Sequence, residues 1–368
     1  METVTVIMGT RPEAIKLCPV VRQLRARTDI RTLVLATGQH DELLTDAMAC
    51  FDIKPDESLS LSQPSGLGAL TGQLLEGIDS ALRKQRPDFV LVQGDTASAY
   101  AGALAGFYQA IPVAHVEAGL RTYHIRSPFP EEMHRRGITM LADLHFAPTA
   151  SAKRNLLREG VPEKRVYLTG NTVIDALKYS LVSCTPVGLP ELPQGKRLIL
   201  FTAHRRENWG GPMLELFRAL RRTVESFPDT YAVCPLHPNP VVRKAAEQIL
   251  SGCGRIAVID PPPLTVFHHL LARSTVVLTD SGGIQEETCA LGIPTLVMRH
   301  STERAEGIRA GCLRLVGTDA DGIFASAAEL LRDGSETYAS MRHPSGVFGD
   351  GNASERIVRI LAQRMGLS

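Results

Sequence analysis

The chain has 368 residues, of which 44% are hydrophobic and 21% are charged, and its formal net charge is +1. These values are typical of a soluble globular protein and suggest about two domains. No block of like charge stands out and no apolar run approaches the length of a membrane span. The sequence therefore argues against a nucleic-acid-binding protein and against a membrane protein.

Seven cysteines are scattered along the chain, and no pair has Cys-x-x-Cys spacing. Several lie in apolar runs, where cysteine is typically a small core residue. The N-terminus is a charged Met-Glu followed by a predicted strand, which is not the pattern of a signal peptide. A reducing, cytoplasmic location is therefore expected.

Short β-rich runs alternate with helical stretches over the first half of the chain. The predicted strands are 3–8, 31–37, 88–93, 111–116, 144–148 and 165–170. Apolar residues recur at helical spacing over 13–27, 40–50, 68–86 and 97–109. This alternation predicts a parallel sheet that is covered by helices on both faces.

The alternation stops at SCTPVGLPELPQGK, residues 183–196, which we interpret as an interdomain linker because proline and glycine disfavour both helix and strand. It then resumes, with predicted strands at 197–203, 231–236, 255–260, 275–280, 294–299 and 313–317. The sequence thus predicts an α/β protein with two doubly wound domains, over 1–182 and 196–352. The amphipathic helix near the C-terminus, about 353–368, is expected to pack back onto the first domain.

The first strand runs into Gly9-Thr10-Arg11, where ligands of open parallel sheets commonly bind. The Gly-x-Gly-x-x-Gly pattern of dinucleotide-binding turns is absent from this turn. Arg11 and Lys16 flank the start of the next helix, a placement that suits a phosphate or a carboxylate. An arginine cap with a solvated lysine is the structural alternative.

Carboxylates follow two later strands of the first half. Asp95 comes after strand 88–93 and Glu117 after strand 111–116, each next to or near a glycine that lets a ligand approach. A further acidic residue, Glu131, lies in PFPEEMHRR. Crowded carboxylates raise one another's pKa, which produces a general acid and a general base at neutral pH. The alternatives are a helix N-cap for Asp95 and a first-turn acid for Glu131.

Basic residues follow two strands of the second half. The segment HRREN places His204 and Arg205 just past a strand, a position that favours an anion site over a structural core histidine. A second histidine, His237, lies in the proline-rich turn PLHPNP. Both segments are candidates for contacts with a charged ligand.

The strongest local signal is TDSGGIQEE, where a strand ends and Ser281-Gly282-Gly283 opens a helix. Small residues at this position bring backbone N–H groups and the positive end of the helix within reach of a diphosphate. Glu287, one turn inside the helix, is placed to accept hydrogen bonds from ribose hydroxyls. A glycine-rich turn without a ligand is the structural alternative.

Taken together, the motifs resemble those of the non-hydrolysing UDP-N-acetylglucosamine 2-epimerases of bacteria. The resemblance runs nearly the whole length of the chain through GTRPEAIK, QGDT, HVEAGLRT, PEE, GNTVIDAL, HRREN, HPNP, TDSGGIQEE and TER. It implies the GT-B architecture, two Rossmann-like domains facing a central cleft. It also implies a cytoplasmic homodimeric isomerase that interconverts UDP-N-acetylglucosamine and UDP-N-acetylmannosamine for cell-envelope polysaccharides.

The resemblance also implies roles for individual residues. Asp95, Glu117 and Glu131 match the catalytic carboxylates, and His204 matches the active-site histidine. Gln39 and His40 match part of a second UDP-N-acetylglucosamine site that activates some members. The residues expected to bind UDP or its sugar are Arg11, Lys16, Arg205, His237, Phe267, Ser281, Gly282, Gly283, Glu287 and Arg304.

Four residues depart from the family pattern. His134 takes the place of the usual asparagine before Arg135, and Pro262 stands where some members have glutamine. Asp41-Glu42 replaces a more basic or amide-bearing pair beside His40. Activation by a second substrate molecule and the fine choice of substrate therefore stay open.

The implied reaction eliminates UDP from carbon-1 as a proton leaves carbon-2, giving UDP and 2-acetamidoglucal, and then reverses on the opposite face. It requires at least two acid–base groups but no redox cofactor and no metal. Which carboxylate serves which face stays open. The alternative functions are a hydrolysing 2-epimerase that releases N-acetylmannosamine and UDP, and a GT-B glycosyltransferase that uses a UDP-sugar donor.

Overall fold

The computed structural model describes residues 1–38, 42–205, 208, 210–236 and 239–367. The chain divides into two compact units, the first comprising Met1–Tyr179 with Gly349–Ser368 and the second Ser180–Phe348. Each unit contains one parallel sheet with helices between its strands. The predicted fold class of two Rossmann-like, doubly wound α/β domains is confirmed.

Among the described residues, the sheet of the first unit has seven parallel strands in the order β3-β2-β1-β4-β5-β6-β7. The chain order reverses between β1 and β4, which lie side by side, so the carboxyl ends of these two strands form the crevice where such sheets bind ligands. The strands are β1 (Glu2–Met8), β2 (Ile30–Ala36), β3 (Glu57–Ser58), β4 (Phe89–Gln93), β5 (Val113–Val116), β6 (Leu144–Ala147) and β7 (Val166–Leu168).

In the described part of the first unit, seven helices follow the strands of this sheet. Small residues let one of them approach the strands closely: a Cβ at Gly102 would lie 2.9 Å from the Ile7 side chain, and one at Gly106 would lie 2.8 Å from that of Val113. The helices are α1 (Arg11–Arg25), α2 (Glu42–Ala49), α3 (Leu67–Gln85), α4 (Ala97–Tyr108), α5 (Glu131–Leu141), α6 (Ala150–Arg158) and α7 (Thr172–Ser183). The close approach buries α4 against the middle of the sheet, which fixes the loop between β4 and α4.

The second unit repeats this architecture, and its described residues form six parallel strands in the order β10-β9-β8-β11-β12-β13. Here β8 and β11 are the neighbouring strands between which the chain order reverses. The strands are β8 (Arg197–Thr202), β9 (Thr230–Pro235), β10 (Ile256–Ile259), β11 (Val276–Thr279), β12 (Thr295–Val297) and β13 (Leu313–Leu315).

Apolar side chains cover both faces of the second sheet. One core cluster includes Phe201 and Phe217, and a second cluster includes Leu200 and Val277. The helices that enclose them are α8 (Gly211–Ser226), α9 (Pro240–Leu250), α10 (Leu264–Arg273), α11 (Gly282–Leu291), α12 (Ala305–Arg309), α13 (Ala320–Leu331) and α14 (Glu336–Met341). No helix in the described part of the chain is long and apolar enough to span a membrane.

The last helix, α15 (Ala353–Arg364), belongs to the first unit and packs against α1. Its N-terminus is held by the buried carboxylate of Asp175 on α7. Asp175 accepts hydrogen bonds from the backbone N–H groups of Ala353 at 3.2 Å and Ser354 at 2.7 Å, and from the Ser354 hydroxyl at 2.5 Å. A side chain of another helix therefore satisfies donors that the first turn of α15 leaves open.

Candidate active site

The turn that follows β1 is held by Glu13, a buried carboxylate in the first turn of α1. It accepts hydrogen bonds from Gly9 N at 3.1 Å, from the Thr10 hydroxyl at 2.8 Å and from the Thr96 hydroxyl at 2.6 Å. Burial raises the pKa of Glu13, and these donors oppose that rise. Because Thr96 follows β4, Glu13 ties together the carboxyl ends of the two central strands.

Threonines, not the predicted site residues, cap the two helices at this edge. Thr10 is the N-cap residue of α1, and Arg11 is its first helical residue. Thr96 is the N-cap of α4 and accepts a hydrogen bond from Ala99 N at 3.0 Å. The alternative interpretations of Arg11 as a helix cap and of Asp95 as an N-cap are therefore wrong.

Glu117 follows β5 directly and is only 7% exposed. Its φ of 62° lies in the left-handed region, which is costly for a residue with a side chain and is frequent at functional sites. Lys16, from α1, and Gln93, from the end of β4, both donate hydrogen bonds to its Oε2. The Lys16 side chain is only 12% exposed, so the alternative of a solvated lysine is also wrong.

Helix α5 holds Asp95 through two neighbouring residues. Arg135 Nη2 donates to the Asp95 carboxylate, and His134 Nδ1 donates to its backbone carbonyl at 2.8 Å. The His134 ring is buried and stacks on Tyr100, with ring centroids 5.3 Å apart. The histidine that departs from the family pattern thus fixes the backbone at one of the predicted catalytic residues.

Glu131 and Glu132 both lie in the first turn of α5 but differ in their surroundings. Glu132 is buried and accepts hydrogen bonds from the backbone N–H groups of Thr122 and Tyr123, each at 3.0 Å. Glu131 lies one turn before Arg135, and its Oε2 is buried without a hydrogen-bond partner among the described residues. A buried oxygen without a donor is costly, and it suits contact with a ligand.

In the second unit, Asp280 organises the loop that follows β8. This residue comes directly after β11 and is completely buried. Its carboxylate accepts hydrogen bonds from the backbone N–H groups of His204 at 3.2 Å and Arg205 at 3.0 Å, and from Asn208 Nδ2 at 2.9 Å. His204 Nδ1 lies 3.3 Å from Asp280 Oδ1. The loops after β8 and β11 thus meet around one carboxylate.

The N-terminus of α11 faces a guanidinium group. Ser281 is the N-cap residue and makes no side-chain capping hydrogen bond. A Cβ at Gly282 would lie 2.7 Å from Arg304 Nη1, whereas one at Gly283 would meet no atom within 4 Å among the described residues. Glycine at position 282 therefore lets Arg304 approach the helix end, so a guanidinium group lies beside the backbone N–H groups that favour an anion.

Arg304 belongs to a network of buried ion pairs. Its Nε donates to Glu286 Oε1 at 2.9 Å, and its Nη1 donates to Glu303. Arg299 Nη1 also donates to Glu303, at 3.2 Å, and Arg205 Nη2 lies 3.8 Å from the same carboxylate. Burial alone would raise the pKa of Glu303, but the guanidinium groups, Arg304 first, hold it well below its usual range.

Glu287 contacts His268, the residue that follows Phe267 on α10. Glu287 is buried, and its Oε1 lies 3.2 Å from His268 Nε2. Phe267 precedes that histidine on α10 and packs at the edge of the apolar cluster on one face of the second sheet. The Nε2–H group of His268 therefore orients the Glu287 carboxylate.

The family follows from comparison with known proteins. The family model of UDP-N-acetylglucosamine 2-epimerases matches residues 22–362. The chain belongs to this family. The UDP-N-acetylglucosamine 2-epimerase of Bacillus subtilis is 45% identical to it over 97% of this chain and 94% of that protein.

Solved structures of epimerases agree with this membership. The Neisseria meningitidis UDP-GlcNAc 2-epimerase bound to UDP-GlcNAc is 40% identical, with a TM-score of 0.93 over 99% of this chain and 100% of that one. The MnaA–UDP structure from S. aureus is 43% identical, with a TM-score of 0.94 over 100% of this chain and 98% of that one. The resemblance inferred from the motifs is confirmed.

The structure gathers the predicted epimerase residues into two groups, each described within its own unit. In the first unit Arg11, Lys16, Asp95, Glu117 and Glu131 lie on α1, α5 or the loops after β4 and β5. In the second unit His204, Arg205, Ser281, Gly282, Gly283 and Arg304 surround the ends of β8 and β11, and Glu287 and Phe267 lie on α11 and α10. Gln39, His40 and His237 lie outside the described residues.

Sequence reasoning missed two carboxylates of this epimerase-family chain. Asp280 was included in the predicted strand 275–280, but β11 ends at Thr279. Asp280 therefore follows a strand, which is the criterion by which Asp95 was chosen as a candidate. Glu13 was hidden inside a helical pattern, and only the fold shows that it reaches Thr96. The described residues contain no group of three or more histidine, cysteine or acidic side chains placed to hold a metal ion.

Proposed function

We propose that this protein catalyses the reversible epimerisation of UDP-N-acetylglucosamine to UDP-N-acetylmannosamine at carbon-2, without hydrolysis. The main support is that this chain has two features of a suitable site. Carboxylates suited to acid–base chemistry follow β4 and β5, and a helix N-terminus suited to an anion follows β11. A sugar linked to a diphosphate requires both, since carbon-2 exchanges a proton while the diphosphate gains charge.

In the forward direction a carboxylate removes the proton from carbon-2. The electrons of that C–H bond form the carbon-1 to carbon-2 double bond, and the bond from carbon-1 to the phosphate oxygen breaks with both electrons leaving on UDP. Lys16 and Gln93 both donate to Glu117 Oε2, so these two donors hold the carboxylate in one orientation. Glu117 is therefore suited to the role of base.

In the second half of the reaction a proton reaches carbon-2 on the opposite face, and the UDP oxygen re-forms its bond to carbon-1. No atom is gained or lost overall, so substrate and product are isomers. The second face needs its own acid–base group, and Glu131 and Asp95 are the candidates. Glu131 Oε2 is buried and lacks a donor among the described residues, and Asp95 is held by Arg135.

Departure of UDP requires stabilisation of the negative charge on its diphosphate. The N-terminus of α11 supplies backbone N–H groups, and His204, Arg205 and Arg304 supply cationic side chains or ring N–H donors beside it. Within the first unit, Arg11 at the first helical position of α1 is the corresponding guanidinium group. These groups favour UDP as a leaving group without any proton transfer to it.

Product analysis of purified protein incubated with UDP-N-acetylglucosamine tests this function. We expect proton NMR to show UDP-N-acetylmannosamine accumulating to an equilibrium with the substrate. Free N-acetylmannosamine with UDP would instead identify a hydrolysing 2-epimerase. A glycosyltransferase would leave the sugar nucleotide unchanged when no acceptor is supplied.

The carboxylate roles are tested by Asp95→Asn, Glu117→Gln and Glu131→Gln. Each removes an acid–base group with little change in shape, so we expect kcat to fall by about 100-fold or more. The matched control is Glu76→Gln, the same change at an exposed position on α3. Full turnover in all three site variants would contradict the proposed roles.

We also infer that the protein is a homodimer formed through the first unit. Phe107 and Tyr108, at the end of α4, are 57% and 65% exposed, and Met140 of the adjoining α5 is 86% exposed. Large apolar side chains on helices that pack together are typical of an interface. We expect light scattering to give twice the chain mass and Met140→Asp to lower it, whereas a monomeric wild type would contradict the inference.

A further inference from the structure

We propose that Asp280 is the positioning residue for His204. It fixes the imidazole ring of His204 so that the protonated Nδ1 faces Asp280. Nε2 of the same ring then donates a hydrogen bond to a phosphate oxygen of departing UDP. This inference rests on the proposed function, because His204 needs this orientation only if a phosphate lies beside it. His204 is a predicted catalytic residue, whereas Asp280 acts through it.

The first support is that Asp280 controls both the backbone and the ring of His204. The backbone N–H of His204 donates to the carboxylate, and Nδ1 of the same residue lies 3.3 Å from Oδ1. Further donors to this carboxylate, from Arg205 N and Asn208 Nδ2, fix the orientation of the carboxyl group itself. A carboxylate held by several donors is a rigid acceptor, so the ring that contacts it adopts one orientation.

The second support is the contrast in burial between the two residues. Asp280 is completely buried, but the side chain of His204 is 48% exposed. One side of the imidazole is therefore anchored inside the protein, and the other side can exchange its contacts for those of a ligand. A histidine whose second nitrogen donates to a carboxylate has a fixed tautomer and a more basic ring, as in many metal and catalytic sites.

The third support is the placement of charge around Asp280. Arg205 directs its Nε to the backbone carbonyl of Asp280, at 2.8 Å, and extends another guanidinium nitrogen towards Glu303. The imidazole of His204, by contrast, lies against the carboxylate itself. The Asp280 carboxylate therefore orients the imidazole and not the guanidinium group of Arg205, which places His204 to hydrogen-bond a phosphate whose negative charge grows as the carbon–oxygen bond breaks.

A double-mutant cycle with Asp280→Asn and His204→Gln tests the proposal. We expect Asp280→Asn to lower kcat by about 10- to 100-fold, the usual effect of losing a carboxylate that orients a histidine. KM should change by less than about threefold, because the interaction strengthens as UDP leaves. The double variant should be no slower than His204→Gln alone, since groups that act as a unit are not additive.

Thr202→Val is the matched control for the loss of a buried hydrogen bond that does not involve Asp280 or His204. The Thr202 hydroxyl lies 2.7 Å from that of Thr279, at the ends of β8 and β11 beneath the same loops. We expect this variant to melt at a lower temperature and to keep its kcat within about twofold, because it leaves Asp280 and His204 in place. Comparable loss of kcat in Thr202→Val would show that Asp280→Asn acts through stability, and would overturn the proposal.

Two further results would overturn it. The first is Asp280→Asn with wild-type kcat, and the second is a double variant whose loss equals the product of the single losses. Long-range ¹H–¹⁵N NMR of wild-type protein gives a test that needs no variant: we expect Nδ1 of His204 to be protonated, and an unprotonated Nδ1 would contradict the proposal. Wild-type protein that forms no UDP-N-acetylmannosamine would instead contradict the proposed function, which separates the two failures.

Discussion

At the scale of single residues, Glu117 shows how backbone and side-chain contacts combine at the site. Its left-handed backbone costs on the order of 1–3 kcal/mol, and its buried carboxylate needs compensating donors. Lys16 and Gln93 supply them. The sequence predicted Lys16 as a UDP contact, but its ammonium group lies on the carboxylate that we propose as the base.

This arrangement predicts that Lys16→Met impairs the chemical step more than it impairs UDP binding. Without the ammonium group, the buried carboxylate of Glu117 loses a positive partner, so we expect kcat to fall by about 100-fold. The Kd for UDP, measured by calorimetry, should change by less than about threefold if Lys16 acts mainly on Glu117.

Lys54→Met, at an exposed position of the same unit, is the control and should leave both quantities unchanged. A large rise in the Kd for UDP with little change in kcat would assign Lys16 to the diphosphate instead, as the family resemblance implies.

Residue-level prediction succeeded in naming candidate side chains and failed in assigning their contacts. The position after a strand was enough to single out Asp95 and Glu117. It did not show that Thr96 is the helix cap. It also did not show that His134 and Arg135 hold Asp95, because those contacts join residues about 40 positions apart. Such contacts depend on the order of strands in the sheet.

At the scale of elements, the strand pattern was predicted well where apolar runs were long. The predicted strand 3–8 corresponds to β1, and the predicted strand 197–203 corresponds to β8. The two-residue strand β3 was missed because Glu57 and Ser58 carry no apolar pattern, and it is defined only by its pairing with β2. The last residue of a strand was equally hard to predict, as Asp280 shows.

Helix α15 provides a prediction about stability. Asp175→Ala removes the acceptor for three donors at the start of α15, so we expect the free energy of unfolding of the first unit to fall by about 2 kcal/mol. Amide hydrogen exchange should also quicken along α15, because its packing against α1 depends on a fixed N-terminus.

The control for that variant is Asp350→Ala. Asp350 lies just before α15 and forms an exposed ion pair with Arg356, which lies within that helix. It should cost less than about 1 kcal/mol, the usual value for a surface pair. Equal effects of the two substitutions would show that the buried contacts of Asp175 do not anchor α15.

At the scale of the whole molecule, two buried histidines in the sheet of the first unit make its stability sensitive to acid. His115 and His145 are paired across β5 and β6, and both are buried. Burial lowers the pKa of His115 to about 3 and that of His145 to about 4, and the charges of nearby arginines add to the effect. Both histidines are therefore neutral in the folded protein, although an unfolded histidine gains a proton below about pH 6.5.

We expect the free energy of unfolding to have its full value above about pH 6.5 and to fall as the pH decreases. Below that pH the unfolded chain binds more protons than the folded one. The slope should approach about 1.4 kcal/mol per pH unit for each histidine. Urea unfolding between pH 7 and pH 5 measures it, above the range where most carboxylates titrate. His145→Leu should flatten the dependence, whereas the same change at the exposed His124 should not; identical slopes in all three proteins would contradict this explanation.

The central claim for the whole molecule is that carbon-2 of the sugar loses and regains a proton while UDP departs and returns. Incubation of wild-type protein with UDP-N-acetylglucosamine in deuterated water tests it most directly. We predict that the UDP-N-acetylmannosamine formed carries deuterium at carbon-2, because the carboxylates exchange their protons with solvent. Product that forms in deuterated water and keeps its original hydrogen at carbon-2 would contradict the account.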